Sequence, residues 1–301
     1  MGTNVVKWGL FFMLSLIWGS SFILMKVGME HLTAFQVASI RITAAGLVML
    51  PLAWKSFRMV PKEKIGWVFL SGVLGSLLPA YLFCWAETGI DSSLAGALNA
   101  LTPVFTIITG VLFFQLHPSK QKVFGILIAL AGCAGLFFSQ AQFSSGEQYG
   151  YILFVLIATI CYGLNVHVVQ HFLKEIPSLQ IVAMAMTLCA VPALSVLVVT
   201  GFFSSSFTFD LLRSVGFSIL LGAAGTSLAN ILFYVLIKQS GSLFASMVTY
   251  GIPFVAFGWG VVFHEKIGWM QVFSLVVILI GVFIANTTPF SVFMGIKEQK
   301  K

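Results

Sequence analysis

Residues 92–114 read SSLAGALNALTPVFTIITGVLFF, an uncharged run of 23 residues. As a helix, such a run crosses a hydrocarbon core of roughly 30 Å. Pro103 stands near its middle, where it brings no N–H and crowds the carbonyl four residues back. That carbonyl belongs to Asn99, so a polar side chain and an orphaned backbone acceptor share one level of the span. Hydrocarbon tolerates this only where neighbouring protein or a water-filled cavity satisfies the acceptor. The design returns 150 positions later in SLFASMVTYGIPFVAFGWGVVFH, residues 242–264. Ser92, Ala95, Pro103, Gly110 and Phe113 recur there as Ser242, Ala245, Pro253, Gly260 and Phe263. Pro253 frees the carbonyl of Thr249, the counterpart of Asn99. The chain is a duplication, with a broken helix expected in each copy.

Composition agrees. The 301 residues are 59% hydrophobic and 8% charged, with mean hydropathy +1.02; soluble domains carry about 25% charged residues. An outer-membrane barrel would alternate apolar and polar residues in segments of about ten, and this chain does not. The expected class is an all-α integral membrane protein. The net charge of +7 is no nucleic-acid footprint, because topology accounts for the basic residues. Cys84, Cys133, Cys161 and Cys189 all fall inside apolar spans and read as packing residues, with no metal or disulfide spacing.

Hydropathy draws ten spans, at about 8–28, 34–54, 65–86, 92–114, 121–139, 149–171, 178–201, 211–237, 242–264 and 267–286. The first lacks a small-residue cleavage site and has a polar middle, so it is expected to stay as a working helix. With a cytoplasmic N-terminus, Lys7, Lys55, Arg58, Lys62, Lys64, Lys120, Lys122, Lys174, Lys238, Lys297, Lys300 and Lys301 all fall inside. Arg213, Lys266 and Lys26 fall outside. That asymmetry predicts both termini in the cytoplasm of a multi-pass inner (plasma) membrane protein.

The repeat extends beyond the prolines. Trp18-Gly19 matches Tyr162-Gly163 at an offset of 144, as Gln36 matches Gln180 and Thr43 matches Thr187. Gly72, Gly75 and Phe83 match Gly222, Gly225 and Phe233 at 150. Each copy then holds five spans, divided as residues 1–140 and 141–301. Five is odd, so the second copy enters from the opposite face, giving an inverted five-plus-five repeat. Inverted repeats with broken helices are a signature of secondary transporters.

Four stretches also resemble a known family: WGSSF at 18–22, RITAAG at 41–46, PVF at 103–105 and FHEKIGWMQ at 263–271. They look like the drug/metabolite transporter superfamily in its EamA-domain branch, as two tandem EamA units covering essentially the whole chain. The resemblance implies ten helices, the inverted fold, and export or uptake of small metabolites. It specifies no substrate. Two departures stand out: Gln115 occupies the place of the acidic residue that the second copy keeps as Glu265, and Ala185 stands where the first copy has Arg41.

Arg41 lies roughly 10 Å inside its span at about 1.5 Å per residue. An intramembrane Arg is a site candidate whose partner must be named. Glu87 at the outer end of the third span is the acid at similar depth, with Asp91 and Lys26 near the same vestibule. Asn99, Thr102, Thr249 and Tyr250 flank Pro103 and Pro253 and are expected to line a central pathway. Trp18, Ser21, Tyr81 and Trp85 from the first half, with Tyr162, Asn165, Asn230 and Tyr234 from the second, are expected to supply the aromatic and polar wall that small-molecule sites use. His167 is a candidate for proton coupling, against the plainer role of a hydrogen-bonded packing residue. His167 and His171 share a helix face, but no third ligand accompanies them, so no metal and no cofactor is expected. Glu265 reads as a structural charge at a helix N-terminus. Gly125, Ala129, Gly132 and Gly135, with Gly281 and Ala285, follow small-residue spacing that serves packing within the chain or between protomers of a homodimer.

The expected function is secondary-active transport, as a probable exporter, of small organic metabolites such as amino acids or related amphipathic solutes. The partners are the solute and the lipid bilayer, with no nucleic acid. No P-loop is present to spend ATP. An intramembrane enzyme would need a nucleophile with a base, or paired acids, at one depth; the polar residues at the prolines are Asn, Thr and Tyr. A non-catalytic membrane assembly partner is the other reading.

Overall fold

The computed structural model describes residues 2–141 and 148–286. The expected connection at 140–148 therefore lies largely outside the described residues, as does the basic tail with Lys297, Lys300 and Lys301. The described chain is helical, without a strand among the described residues. In the first half the α-helices are α1 (Gly2–Gly28), α2 (Ala34–Ser56), α3 (Ile65–Gly72), α4 (Leu78–Ala86), α5 (Ser92–Asn99), α6 (Thr102–Phe114) and α7 (Lys120–Ala141). In the second half they are α8 (Gln148–Phe172), α9 (Ser178–Val199), α10 (Phe209–Leu220), α11 (Ala229–Ser246), α12 (Val248–Val262) and α13 (Trp269–Asn286).

Among the described residues, eight helical stretches are long and apolar enough to cross a membrane, or nine if α5 and α6 count as one bent span. Val248–Val262 is a shorter apolar helix. The eighth and ninth spans drawn from hydropathy meet at a different place from the one expected. The break falls at Met247, because α11 runs on through Lys238–Ser242 to Ser246 and α12 starts at Val248. Polar residues alone do not stop a helix. Gly241 costs only about 1 kcal/mol there, and no proline removes a hydrogen bond.

Local chemistry explains the clearest boundaries. Thr33 opens α2 with a capping box: its hydroxyl accepts from the Gln36 N–H at 3.3 Å, and the Gln36 side chain accepts from the Thr33 N–H at 3.0 Å. The chain bends by 43° between α5 and α6, just before Pro103. Two π-helical segments interrupt the third and eighth spans, at Val73–Leu77 and Leu221–Leu228. Leu78 N–H reaches back to the Val73 carbonyl, and Ala229 N–H to that of Ala224, five residues in each case. The two segments sit at matching places in the repeat.

α2 packs along α9, and α7 along α13. α1 lies on α12 as α6 lies on α8, and α1 meets α11 as α8 meets α4. Exchanging each expected span with the one five places later maps these contacts onto themselves. The α7–α13 seam is close because a Cβ on Gly281 would run into the Ala129 backbone, and one on Gly125 into Ala285 and the Gly281 carbonyl. The small-residue stripes are therefore spent on each other within one chain. Large apolar side chains such as Trp54, Leu112, Phe138 and Phe283 remain exposed on the outside of the bundle, the surface that lipid covers.

Candidate functional site

A cavity of about 340 Å³ lies inside the bundle, walled by α1, α2, α8, α11, both π-helical segments and the residues around both prolines. Of the residues singled out above, Trp18, Ser21, Arg41, Asn99, Thr102, Tyr162, Asn165, Asn230 and Thr249 line it. Most of the lining comes in repeat-related pairs: Trp18 with Tyr162, Ser21 with Asn165, Phe22 with Val166, Gly75 with Gly225, Ser76 with Thr226, Phe83 with Phe233, and Asn99 with Thr249. A smaller cavity of about 120 Å³ adjoins it, sharing Gly75, Ser76, Asn165 and Asn230, and reaches toward Ser71 and Ser178. It holds Val169, Ala185 and Met186, the counterparts of Met25, Arg41 and Ile42.

The wall is held by bonds across the halves. The Trp18 indole N–H donates to the Gly225 carbonyl at 3.1 Å, an acceptor inside the widened π-helical turn. Its ring lies 5.2 Å from that of Phe233. Arg41 donates from Nε to the Thr226 hydroxyl at 3.1 Å and from Nη1 to the Met25 sulfur at 3.6 Å. Asn230 Nδ2 donates to the Thr226 carbonyl at 2.6 Å. The Asn165 carboxamide oxygen is buried without a hydrogen-bond partner among the described residues. The Asn99 carbonyl, which Pro103 leaves without a helical donor, accepts from the Thr102 hydroxyl at 2.8 Å. The orphaned backbone acceptor is therefore satisfied within its own turn.

Other candidates lie elsewhere. Arg41 and Glu87 form no ion pair; among the described residues the ion pairs are those of Lys26, with Asp91 at 3.4 Å and with Glu265 at 3.0 Å. Tyr81 shares a 2.6 Å hydrogen bond with Ser39. Trp85 is 44% exposed and stacks on Phe154. Tyr250 donates to the Val282 carbonyl at 3.3 Å and accepts from Asn286. Pro103 and Pro253 shape their helices without lining the cavity. His167 places Nε2 2.7 Å from the Thr106 carbonyl, so that nitrogen carries the proton, and its ring stacks on Phe114. Among the described residues no cluster of His, Cys, Asp and Glu fits a metal ion.

The Lys26 network closes one end of the bundle. Glu265 precedes α13, yet its carboxylate caps α5: its two oxygens accept from the backbone N–H groups of Ser92 and Ser93, each at 3.0 Å. Asp91 occupies the cap position but makes no capping bond. Burial alone would raise the Glu265 carboxyl, but the Ser93 N–H and the Lys26 ammonium more than offset it and hold it below the usual range. Glu87, 5% exposed, has the opposite fate. Burial pushes it well above the usual carboxylate range, and the Ser92 hydroxyl at 3.1 Å opposes this only in part. Its second oxygen has no hydrogen-bond partner among the described residues.

Thr226 and Ser76 were missed in the sequence. The signal was available: each hydroxyl follows a matched glycine, Gly225 or Gly75, at the repeat offset.

Comparison with known proteins gives this architecture its family. The EamA-like transporter family profile matches residues 7–138 and again 149–287. The chain belongs to the EamA-like transporter family. It is a multi-pass membrane transporter. The protein PagO of Salmonella typhimurium is 21% identical over 91% of this chain and 91% of its own length. An uncharacterized transporter of Archaeoglobus fulgidus is 23% identical over 92% of this chain and 98% of its own. A probable amino-acid metabolite efflux pump of Salmonella typhimurium is 26% identical over 38% of each chain. One solved crystal structure superposes with a TM-score of 0.60 at 14% identity, over 94% of this chain and 96% of that one, so the transporter shares its fold.

Proposed function

We propose that the protein is a secondary-active transporter of the inner membrane. It exports small organic metabolites, such as amino acids or related amphipathic solutes, through the cavity between two inverted five-helix repeats, residues 1–140 and 141–301. The observation that carries this reading is the composition of the cavity wall. Residues from both halves meet there in repeat-related pairs, with Asn99 and Thr249 contributed by the two proline-containing spans. In an inverted repeat such pairs place a site at the level the copies share, and rocking one copy against the other opens it to alternate sides. The mixture of aromatic walls with a few convergent polar groups suits an amphipathic solute.

The two ends of the cavity differ. The smaller cavity extends toward Ser71 and Ser178, on the side that the basic residues assign to the cytoplasm. The opposite end carries the Lys26, Asp91 and Glu265 bridge, which joins three separate segments. A state open inward and latched outward fits both features. The similarity to a probable amino-acid metabolite efflux pump supports the direction and the solute class.

Flux tests the reading. Full-length protein in liposomes, loaded with a panel of labelled amino acids and related metabolites, should release a subset faster than protein-free liposomes. Release should collapse when the Lys26 latch is fixed shut by a cross-link. Equal release from protein-free liposomes across the panel would overturn the proposal.

A further inference from the structure

The cavity wall nearly repeats itself, and a solute rarely does. Groups that tell one end of a solute from the other must be those that break the repeat. Thr102 breaks it, opposite Ile252, but its hydroxyl is spent on the Asn99 carbonyl. Two polar positions remain: Arg41, whose counterpart is Ala185, and Asn230, whose counterpart is Ala80. They come from different halves and meet at one residue. Arg41 holds the Thr226 hydroxyl and Asn230 holds the Thr226 carbonyl.

From this juxtaposition we infer that the transported solute carries an anionic oxygen group, a carboxylate or comparable oxyanion, that docks on the Arg41 guanidinium with Asn230 beside it. The inference rests on the transporter reading of the cavity and names the class of solute within it. Three observations carry it. Among the described residues no Asp or Glu lines the cavity. Arg41 takes part in none of the ion pairs among the described residues, and its Nη1 has only a thioether as acceptor. A guanidinium presents a planar fork of donors matched to a carboxylate, and bonds between charged partners are the stronger kind, more so away from water. Glu87 is the acid close enough to feel Arg41, but it bonds to the Ser92 hydroxyl, forms no ion pair with Arg41 and stands outside the cavity lining. Asn230 uses Nδ2 on Thr226, which leaves its carboxamide oxygen to accept from a donor on the same solute. Trp18, Tyr162, Phe22 and Phe83 then face the apolar body. A cationic solute finds no counter-charge in this wall.

The test uses three probes with one body and different heads: phenylacetate, phenylacetamide and phenethylamine. Binding is read as the rise in melting temperature of the full-length protein in nanodiscs. The acid should bind, and more tightly than the amide or the amine. Arg41→Lys should keep the acid preference but weaken acid binding, since it retains the charge without the fork. Arg41→Gln should reduce acid-over-amide preference by about tenfold or more. Should Arg41→Gln fail to fold, Asn230→Asp decides, because it is nearly isosteric and sets a carboxylate beside Arg41. There the acid preference should vanish while the amine gains. Equal or better binding of the amine or the amide by the parental protein would overturn the inference, as would an acid preference untouched by these variants, or no binding of any probe. Flux separates the two readings: release of amines or neutral solutes with no acid released leaves the transporter standing and removes its anion site, whereas release of nothing removes both.

Discussion

Two carboxylates near Ser92 carry opposite pH dependences, because one is buried without a paired cation among the described residues and the other is capped and paired. Glu87 has a raised carboxyl in the folded chain, so above the ordinary carboxylate range the folded state keeps a proton that the unfolded chain releases. Its contribution is fully present below the ordinary carboxylate range, near pH 4.3, and is lost as pH rises through the raised folded value. Glu265 has a lowered carboxyl, so its contribution is present above the ordinary range and is lost as pH falls through the lowered folded value. Melting temperature followed upward from about pH 4.3 should therefore decline toward the raised folded value of Glu87 in the parental protein. Glu87→Gln, which imitates the protonated acid, should flatten that decline. Glu265→Gln should leave that decline in place and cost about 1–3 kcal/mol at neutral pH, since it removes a charge from two backbone N–H groups and from Lys26. An unchanged decline in Glu87→Gln would show that Glu87 does not carry the proton.

At the scale of the element, the two prolines do different things. Pro103 sits one residue inside α6, after a 43° bend, whereas Pro253 lies within α12. Pro103 is tolerated in the first turn of α6; Pro103→Ala restores an N–H there and lets α5 and α6 straighten into one helix, in whose interior proline costs about 3 kcal/mol. The isolated span should gain stability while transport falls, because the Asn99 side chain and the Thr102–Asn99 bond are set by the bend. Flux in liposomes and melting temperature, measured on the same preparation, check both halves of this expectation; parental flux from a well-folded variant would make the proline incidental. The duplication and the bend were legible in the sequence because proline and glycine act locally and recur at a fixed offset. The run of α11 through Lys238–Ser242 was not, because hydropathy reports polarity and a polar helix segment keeps its backbone bonds. The Lys26–Glu265 bridge was also hidden: it spans 239 positions and depends on α1, α5 and the turn before α13 meeting at one end. The role of Glu265 was read one helix too late, since it caps α5 while preceding α13.

At the scale of the whole molecule, orientation sets what the two ends of the cavity mean. The basic residues argue that Arg58, Lys62 and Lys64 face the cytoplasm and that the 200–210 connection faces outward. Reporter positions must be reachable, and Ser56 is not, being only 4% exposed. Met59, 67% exposed, and Ser206, also exposed, are suitable. Cys84, Cys161 and Cys189 are buried and Cys133 is half-buried, so replacing all four with Ala or Ser gives a background in which one introduced thiol reports alone. A membrane-impermeant maleimide added to intact cells should label Ser206→Cys and spare Met59→Cys until the cells are lysed. That pattern puts the Lys26–Glu265 bridge outside and the Ser71–Ser178 end of the cavity inside, as an inward-open, outward-latched state requires. The reverse pattern would turn the molecule over and make the same structure outward-open. Labelling of both positions in intact cells would put Met59 and Ser206 on one side and overturn the five spans expected between them.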